Sequence, residues 1–228
     1  MNCRSHHQGF TRKELLVALV LVAAPLYYLG ISRGGSRIMP RVKANFAATK
    51  ARDIHTALTA WAEDHNQEYP TARQYSNEAF RELFRAKLID EGGEKLFTIP
   101  GDAWHKNSPS GNGADGIIGP APDFPQTLQR GECAFYYVSG LGTASPSYLP
   151  LVGNAFSGSP GVYTDDPSHK GGVFRGTKGA WVNVGGTGYV GPLSSDFRLR
   201  DWKDHKANVD IFSKEWGTNP DNIKNPEG

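Results

Sequence analysis

The clearest pattern along the chain is a run of 17 residues, 15–31, that contains no charged side chain and follows a short polar segment. At 1.5 Å per residue, a helix of this length measures about 26 Å, which is near the lower limit for crossing a bilayer. One carboxylate, Glu14, stands at the front edge of the run. Because a charge inside hydrocarbon costs about 2.5–3.5 kcal/mol, this position indicates that Glu14 has a partner or a function.

The next segment, 32–66, has apolar side chains at helical spacing from Val42 onward, with charged side chains between them, and this predicts an amphipathic helix. We expect it to continue the apolar run as one long helix, bent near Pro25 and Gly34, and to end near His65. Its apolar stripe should be buried against a globular headpiece. The positions in that stripe are Phe46, Ala47, Ile54, Ala57, Leu58 and Trp61.

Residues 67–192 have the alternation and the turn residues of a small αβ headpiece. The sequence predicts one helix, with Asn77 as its N-cap and an apolar face that extends to Leu88. The best hairpin has the two-residue turn Gly185–Gly186, since a tight hairpin requires positive φ. A stretch rich in proline and glycine, 101–131, predicts a long loop. Short strands are predicted at 96–99, 133–139, 148–152, 171–174, 180–184 and 187–190.

These elements predict an α+β fold. A long N-terminal helix, part membrane-spanning and part amphipathic, would pack on a small antiparallel β-sheet. The remaining segment, 193–228, is polar, and its end from Thr218 onward is expected to be a mobile tail.

The junction between the polar segment and the apolar run contains the most specific motif in the chain. Its sequence from Gly9 to Val17 is Gly-Phe-Thr-Arg-Lys-Glu-Leu-Leu-Val. This resembles the N-terminal signal of type IV pilins and type II secretion pseudopilins. In that family a membrane peptidase cuts after the glycine, methylates the new N-terminal residue and leaves a glutamate at the fifth mature position. The resemblance implies cleavage between Gly9 and Phe10, N-methylation of Phe10, and a role for Glu14 in assembly.

The same resemblance implies a non-enzymatic pilin-like or pseudopilin subunit of a type II secretion or type IV pilus-like assembly, with the pilin fold. Residues 1–9 would be the prepilin leader and residues 10–31 the transmembrane and assembly helix. The expected partners are a prepilin peptidase, other pilin-like subunits in a homo- or hetero-filament, and the membrane. The protein would be a single-pass inner-membrane protein with its headpiece outside the cytoplasm, in the periplasm or at the cell surface.

Two other interpretations of the N-terminus stay open. The apolar run also suits the core of a secretory signal peptide that is cut before Arg33, or an uncleaved signal anchor. Lysine and arginine do not decide the orientation, because three precede the run and four follow it within a few residues. Either alternative would make the protein a secreted or signal-anchored extracytoplasmic binding or hydrolytic domain.

Composition narrows the chemistry that the chain can carry out. The net charge of +2 gives no electrostatic argument for nucleic-acid binding. Of the two cysteines, Cys3 falls in the leader, so Cys133 would remain alone in the processed protein. Two Gly-x-Gly-x-x-Gly stretches, 111–116 and 186–191, lack the strand-turn-helix context of a dinucleotide site.

Catalytic and metal signatures are also missing from the sequence. The histidines and cysteines have no zinc-binding spacing, and no Gly-x-Ser-x-Gly motif occurs, so no catalytic residue, cofactor or metal is predicted. Asp165 and Asp166 lie in a polar segment where calcium binding is one interpretation. The two aspartates also suit a simple turn before Pro167, which is the interpretation we favour.

Overall fold

Two helices and five short strands form the regular structure of residues 35–200 and 208–227, which are the residues described in the computed structural model. The helices are α1, Gly35–Glu63, and α2, Ser76–Arg85. The strands are β1, Phe135–Val138; β2, Pro150–Asn154; β3, Lys178–Asn183; β4, Gly188–Pro192; and β5, Ile223–Lys224. Short 3-10 helices cover Glu91–Phe97, Ala103–Asn107 and Pro220–Asn222. Residues from Pro40 onward form one compact unit.

The strands pair in the order β4-β3-β2-β1-β5, and each neighbouring pair is antiparallel. Every residue of β1 and β2 is buried, because both faces of the sheet are covered at its centre. β3 and β4 form the predicted hairpin, in which Trp181 lies opposite Tyr189. Gly186 in its turn has a φ of 78°, which a residue with a side chain rarely adopts. The hairpin at Gly185–Gly186 is therefore confirmed, but its turn has three residues, 184–186, instead of the predicted two, since Asn183 N donates to the Thr187 carbonyl at 3.1 Å.

α1 buries a stripe that consists mostly of alanine. The interval of three and four residues selects Ala44, Ala47, Ala48, Ala51, Ile54, Leu58 and Ala62, and all of them belong to the core. Phe46, which was predicted to lie in this stripe, is instead 47% exposed. Neighbouring residues of a helix point about 100° apart, so burial of Ala47 turns Phe46 away from the core.

Polar side chains of α1 tie the helix to the irregular parts of the chain. Lys50 Nζ donates to the Thr98 carbonyl at 2.7 Å and also to the Lys95 carbonyl. One turn further on, His55 Nε2 donates to the Val184 carbonyl at 2.9 Å. The two side chains therefore attach α1 to the segment 95–98 and to the turn between β3 and β4.

The predicted fold, with a long N-terminal helix that is part membrane-spanning, is wrong. Within residues 35–200 and 208–227, none of the helices combines the length and the apolar composition that a membrane span needs. Exposed charged side chains such as Arg41 and Arg52 interrupt the surface of α1, so it lacks a continuous apolar face of the length that a bilayer requires. The structure supports an α+β class with a five-stranded antiparallel sheet. The apolar run 15–31 lies outside the described residues.

Asn77 does not cap α2 as predicted but lies buried in the first turn of this helix. Its Nδ2 donates to the Leu128 carbonyl at 2.6 Å, and its Oδ1 accepts from Glu227 N at 2.9 Å. A primary amide can donate and accept at once, so one side chain bridges two segments that are distant in sequence. α2 ends at Arg85, which leaves Leu88 beyond the helix and 40% exposed.

Two of the predicted strands differ from the structure. In the segment 96–99, the first two residues end the 3-10 helix Glu91–Phe97, and the chain continues from Thr98 in an extended conformation without joining the described sheet. Residues 171–174 form a turn, in which Gly171 has a φ of 82° and Arg175 N donates to the Gly172 carbonyl at 2.8 Å. The apolar residues in both segments are buried by packing and not by strand pairing.

The C-terminal segment also differs from the mobile tail that was expected. β5 pairs with β1 at the edge of the sheet. Beyond it, Asn225 Oδ1 accepts from Phe156 N and its Nδ2 donates to the Phe156 carbonyl, both at 3.0 Å. The Asn225 carbonyl accepts from Ser76 N at 3.1 Å, and Lys170 Nζ donates to the Pro226 carbonyl at 2.7 Å. The segment therefore joins α2 to two loops.

We predict that Asn225→Ala lowers the free energy of unfolding by about 1–3 kcal/mol, because both backbone groups of the fully buried Phe156 lose their partner. Denaturant titration of the full-length protein measures this change. The matched control is Asn45→Ala on the exposed side of α1, which should stay within about 0.5 kcal/mol of the wild type. Equal effects of the two substitutions would contradict the role assigned to Asn225.

Candidate functional site

The residues to which the sequence assigns processing and assembly are Gly9, Phe10 and Glu14, and they lie outside the described residues. The described part of the chain offers three further candidates. These are an apolar pair on α1, a buried pair of carboxylates, and a groove beside α2. They are described in turn below.

The apolar pair consists of Val42 and Phe46, which lie one turn apart on α1 and are 56% and 47% exposed. The alanine stripe directs them outward, since it occupies the side of the helix that faces the core. Lys50 Nζ lies 5.2 Å from the centre of the Phe46 ring and covers part of one ring face. Burial lowers the pKa of Lys50, and the nearby Asp53 carboxylate opposes that shift.

Glu94, in the 3-10 helix Glu91–Phe97, is fully buried. Its Oε1 accepts from Leu128 N at 2.7 Å, and its Oε2 accepts from Gly116 N at 3.0 Å. One carboxylate therefore binds two amides that are twelve residues apart in sequence. Burial raises the pKa of Glu94, the two amide donors act against this, and the charge of Asp115 adds to it.

Glu132 lies in the buried run 131–139, which contains β1, and it is only 1% exposed. Its Oε2 accepts from Gln129 N at 2.5 Å. Burial is the main reason why the pKa of Glu132 rises from its ordinary value of 4.5 to about 7. The Gln129 amide and Arg81 lower it, whereas the charges of Glu94 and Asp115 raise it. We call Glu94 and Glu132 the acid pair.

A groove of about 520 Å³ lies between the end of α2 and the segment 116–128. Phe84 and Ile89 line one side, and Ile118 and Phe124 line the other. The charged residues of its lining are Lys87, Asp90 and Glu91, so the groove combines an apolar base with a polar rim.

A second cavity, of about 430 Å³, is lined by Asp102 and His105 among others. The ring of His105 is committed to the backbone, because Nδ1 donates to the Gly131 carbonyl at 2.9 Å and Nε2 accepts from Ile99 N at 3.3 Å. Asp102 Oδ1 accepts from Trp104 N at 3.1 Å. Burial raises the pKa of Asp102, and the hydrogen bond from Trp104 N and the charge of Lys43 oppose that shift. Asp102 and His105 therefore hold the backbone around residues 99–104 and 131 in place.

The other residues that the sequence offered as possible sites, which are Asp166, the two glycine-rich stretches and Cys133, have roles in the fold. Asp166 Oδ1 accepts from Ser168 N at 2.8 Å, and Oδ2 pairs with His169 Nδ1 at 2.8 Å, as in a turn. Among the described residues, no three His, Cys, Asp or Glu side chains are placed to hold a metal ion. The stretch 111–116 lies in a loop, and 186–191 lies in the β3–β4 hairpin, so neither begins a helix. Burial raises the pKa of Cys133 to about 12.

Comparisons of the chain with protein-family models, with curated proteins and with solved structures found no match.

Sequence reasoning missed the acid pair. Glu94 occurs in the charged segment Glu-Gly-Gly-Glu-Lys, which has the composition of a surface turn. Glu132 had a weak signal, since it directly precedes a run of apolar residues that was predicted to be a strand. Nothing in the local sequence indicates that the two carboxylates share one buried region.

We predict that Phe46→Gln changes the free energy of unfolding by less than about 1 kcal/mol, because the side chain packs outside the core. Leu58→Ala, at a fully buried position of the same helix, should cost about 2–5 kcal/mol. Thermal or denaturant unfolding of both full-length variants checks the contrast. A large loss in Phe46→Gln would mean that this ring supports the fold and is not available to a partner.

Proposed function

We propose that this chain is a non-enzymatic pilin-type or pseudopilin-type structural subunit. A prepilin peptidase processes it, and it assembles with like subunits in a type II secretion or type IV pilus-like system. The observation that carries the proposal is the sequence motif in which Gly9, Phe10 and Glu14 occur together at the family spacing, directly before the apolar run.

The chemistry of the motif supplies a reason for assembly. Cleavage after Gly9 would give Phe10 a cationic amine, and in the helix that the resemblance implies Glu14 would lie one turn away. Between neighbouring subunits, the carboxylate of Glu14 can meet the amine of the next Phe10, so that both charges are neutralised in an apolar interior. A buried pair of this kind fixes the register of the subunits more than it adds to their stability.

The apolar pair on α1 also supports the proposal. Val42 and Phe46 form a small apolar surface on α1 that the core leaves uncovered. An exposed aromatic ring beside an aliphatic side chain suits contact with the helix of a neighbouring subunit. Assembly would therefore use two contacts, one at the charge pair and one at Val42 and Phe46.

The proposal includes a location. The run 15–31 is long enough for a single membrane span, and the headpiece would lie outside the cytoplasm, in the periplasm or at the cell surface. The membrane would hold the subunit before assembly.

One alternative is a secreted or signal-anchored extracytoplasmic binding domain, which the groove beside α2 favours because its apolar base and polar rim suit a ligand. The mature N-terminus separates the two functions. N-methylated Phe10 supports the filament subunit, Arg33 supports a secreted domain, and Met1 supports an anchored one.

We predict that Gly9→Val leaves the leader attached, because the peptidase needs a small residue at the cut. Mass spectrometry of the N-terminal peptide should find Met1 or its processed form in the variant and N-methylated Phe10 in the wild type. Ser32→Leu is the matched control, since it removes the small residue before the alternative cut at Arg33. Normal maturation in Gly9→Val together with blocked maturation in Ser32→Leu would reject the proposed processing.

We predict that Glu14→Leu is inserted and cleaved normally but fails to assemble. Removing one partner of a buried charge pair costs about 3–5 kcal/mol, because the Phe10 amine is left uncompensated. Cross-linking in membranes, followed by electrophoresis, measures the oligomers.

Two cations next to Glu14 require a control, since Arg12 or Lys13 could replace the amine as its partner. The double variant Arg12→Leu/Lys13→Ile should assemble as well as the wild type or better. If the double variant fails while Glu14→Leu assembles, the charge-pair mechanism is wrong for this chain.

A further inference from the structure

The segment 116–128 is a compact loop whose two ends meet at one side chain. Glu94 accepts hydrogen bonds from Gly116 N and Leu128 N, at 3.0 and 2.7 Å. Inside the loop, Gln126 N donates to the Ile118 carbonyl at 3.2 Å. A surface segment of this length with joined ends is an Ω-loop.

The base of the Ω-loop is held by Glu132 and Arg81 as well as by Glu94. Glu132 accepts from Gln129 N at 2.5 Å, one residue beyond the loop. Arg81, on α2, donates through Nε to the Thr127 carbonyl at 2.8 Å and through Nη2 to the Leu128 carbonyl at 3.0 Å. Two carboxyl groups and one guanidinium therefore bind consecutive backbone groups at the end of the loop.

When Glu94, Glu132 and Asp115 are all ionised, negative charge is in excess at the base of the loop. Glu132 feels the like charges of Glu94 and Asp115, and it feels the opposite charge of Arg81. Arg81 is shared, since its Nη2 also lies 3.6 Å from the carboxylate of Glu227 in the C-terminal segment. Both members of the acid pair are almost fully buried, so water cannot screen the repulsion between them.

We propose that Glu94 and Glu132 act as a proton-dependent clasp that holds the Ω-loop closed when one of the two carboxyl groups is protonated and loosens it when both are ionised. Ile118 and Phe124 belong to this loop and form one wall of the groove beside α2. The clasp therefore controls the shape of the groove. This regulation is independent of processing at Gly9.

The direction of the pH effect follows from where the proton binds. In the closed loop the pKa of Glu132 is about 7, and in an open, hydrated loop it returns towards 4.5. The closed state binds the proton more tightly, so closure is strongest below about pH 4.5 and weakens as the pH rises. The opening equilibrium should increase about tenfold per pH unit between about pH 5 and pH 7, and it should level off above pH 7.

Hydrogen exchange of the full-length protein tests the clasp. Protection of the amides in 116–129 is measured from pH 5 to pH 8 and corrected for the intrinsic pH dependence of exchange. The wild type should lose protection by about tenfold per pH unit up to pH 7. Glu132→Gln should remove most of this slope, because a glutamine carbonyl can still accept from Gln129 N but cannot ionise. Glu91→Gln, an exposed position in the same 3-10 helix as Glu94, is the matched control and should keep the slope.

A second substitution distinguishes the role of Glu94 from that of Glu132. Glu94→Gln leaves a carbonyl that can accept from only one of its amides in the same geometry, so protection should be lower at every pH. A flat wild-type profile, or an unchanged slope in Glu132→Gln, would overturn the proposal. Failure of Glu132→Gln to fold would also overturn it, since the neutral form is the one that the closed loop favours. None of these outcomes bears on the maturation of Gly9 variants.

Discussion

The fold depends on hydrogen bonds to backbone amides and carbonyls that are buried but belong to no helix or strand. The strands of the described sheet are two to six residues long, whereas long segments between them lie partly in the core without strand or helix bonds. A buried amide or carbonyl without a partner costs free energy comparable to a lost hydrogen bond. Polar side chains fill this need, and each of them joins segments that are far apart in sequence. The main examples are Asn77, Glu94, His105, Glu132 and Asn225.

This arrangement has an electrostatic consequence. Amides and imidazoles can bridge backbone groups without a net charge, as Asn225 and His105 do. A carboxylate accepts two backbone amides well, but it brings its charge into a region of low dielectric constant. Glu94 and Glu132 lie close enough for their charges to interact. The same need that orders the loop therefore makes its base sensitive to protons.

Sequence patterns predicted the parts of the fold that local chemistry decides. The turn Gly185–Gly186 was found because positive φ is a local requirement, and the α1 helix was found because its buried side repeats with helical spacing. Phe46 was placed wrongly, since apolar residues occur on both sides of α1 and only packing decides that alanines face the core. Asn77 was assigned to a cap because its role as a bridge depends on Leu128 and Glu227, which are close to it only in the folded chain. The acid pair was not predicted, because Glu94 and Glu132 also come close only in the folded chain.

The apolar pair and the groove beside α2 differ in what maintains their shape. The apolar pair, Val42 and Phe46, is fixed by the backbone of α1, and helix geometry does not change with the protonation of a side chain. The groove is bounded on one side by an Ω-loop whose closure depends on a carboxyl proton. A permanent contact, such as the subunit contact that we propose, is best placed on the first kind of surface. The second kind suits a ligand or neighbour whose binding changes with pH, because the same proton that closes the loop sets the position of Ile118 and Phe124.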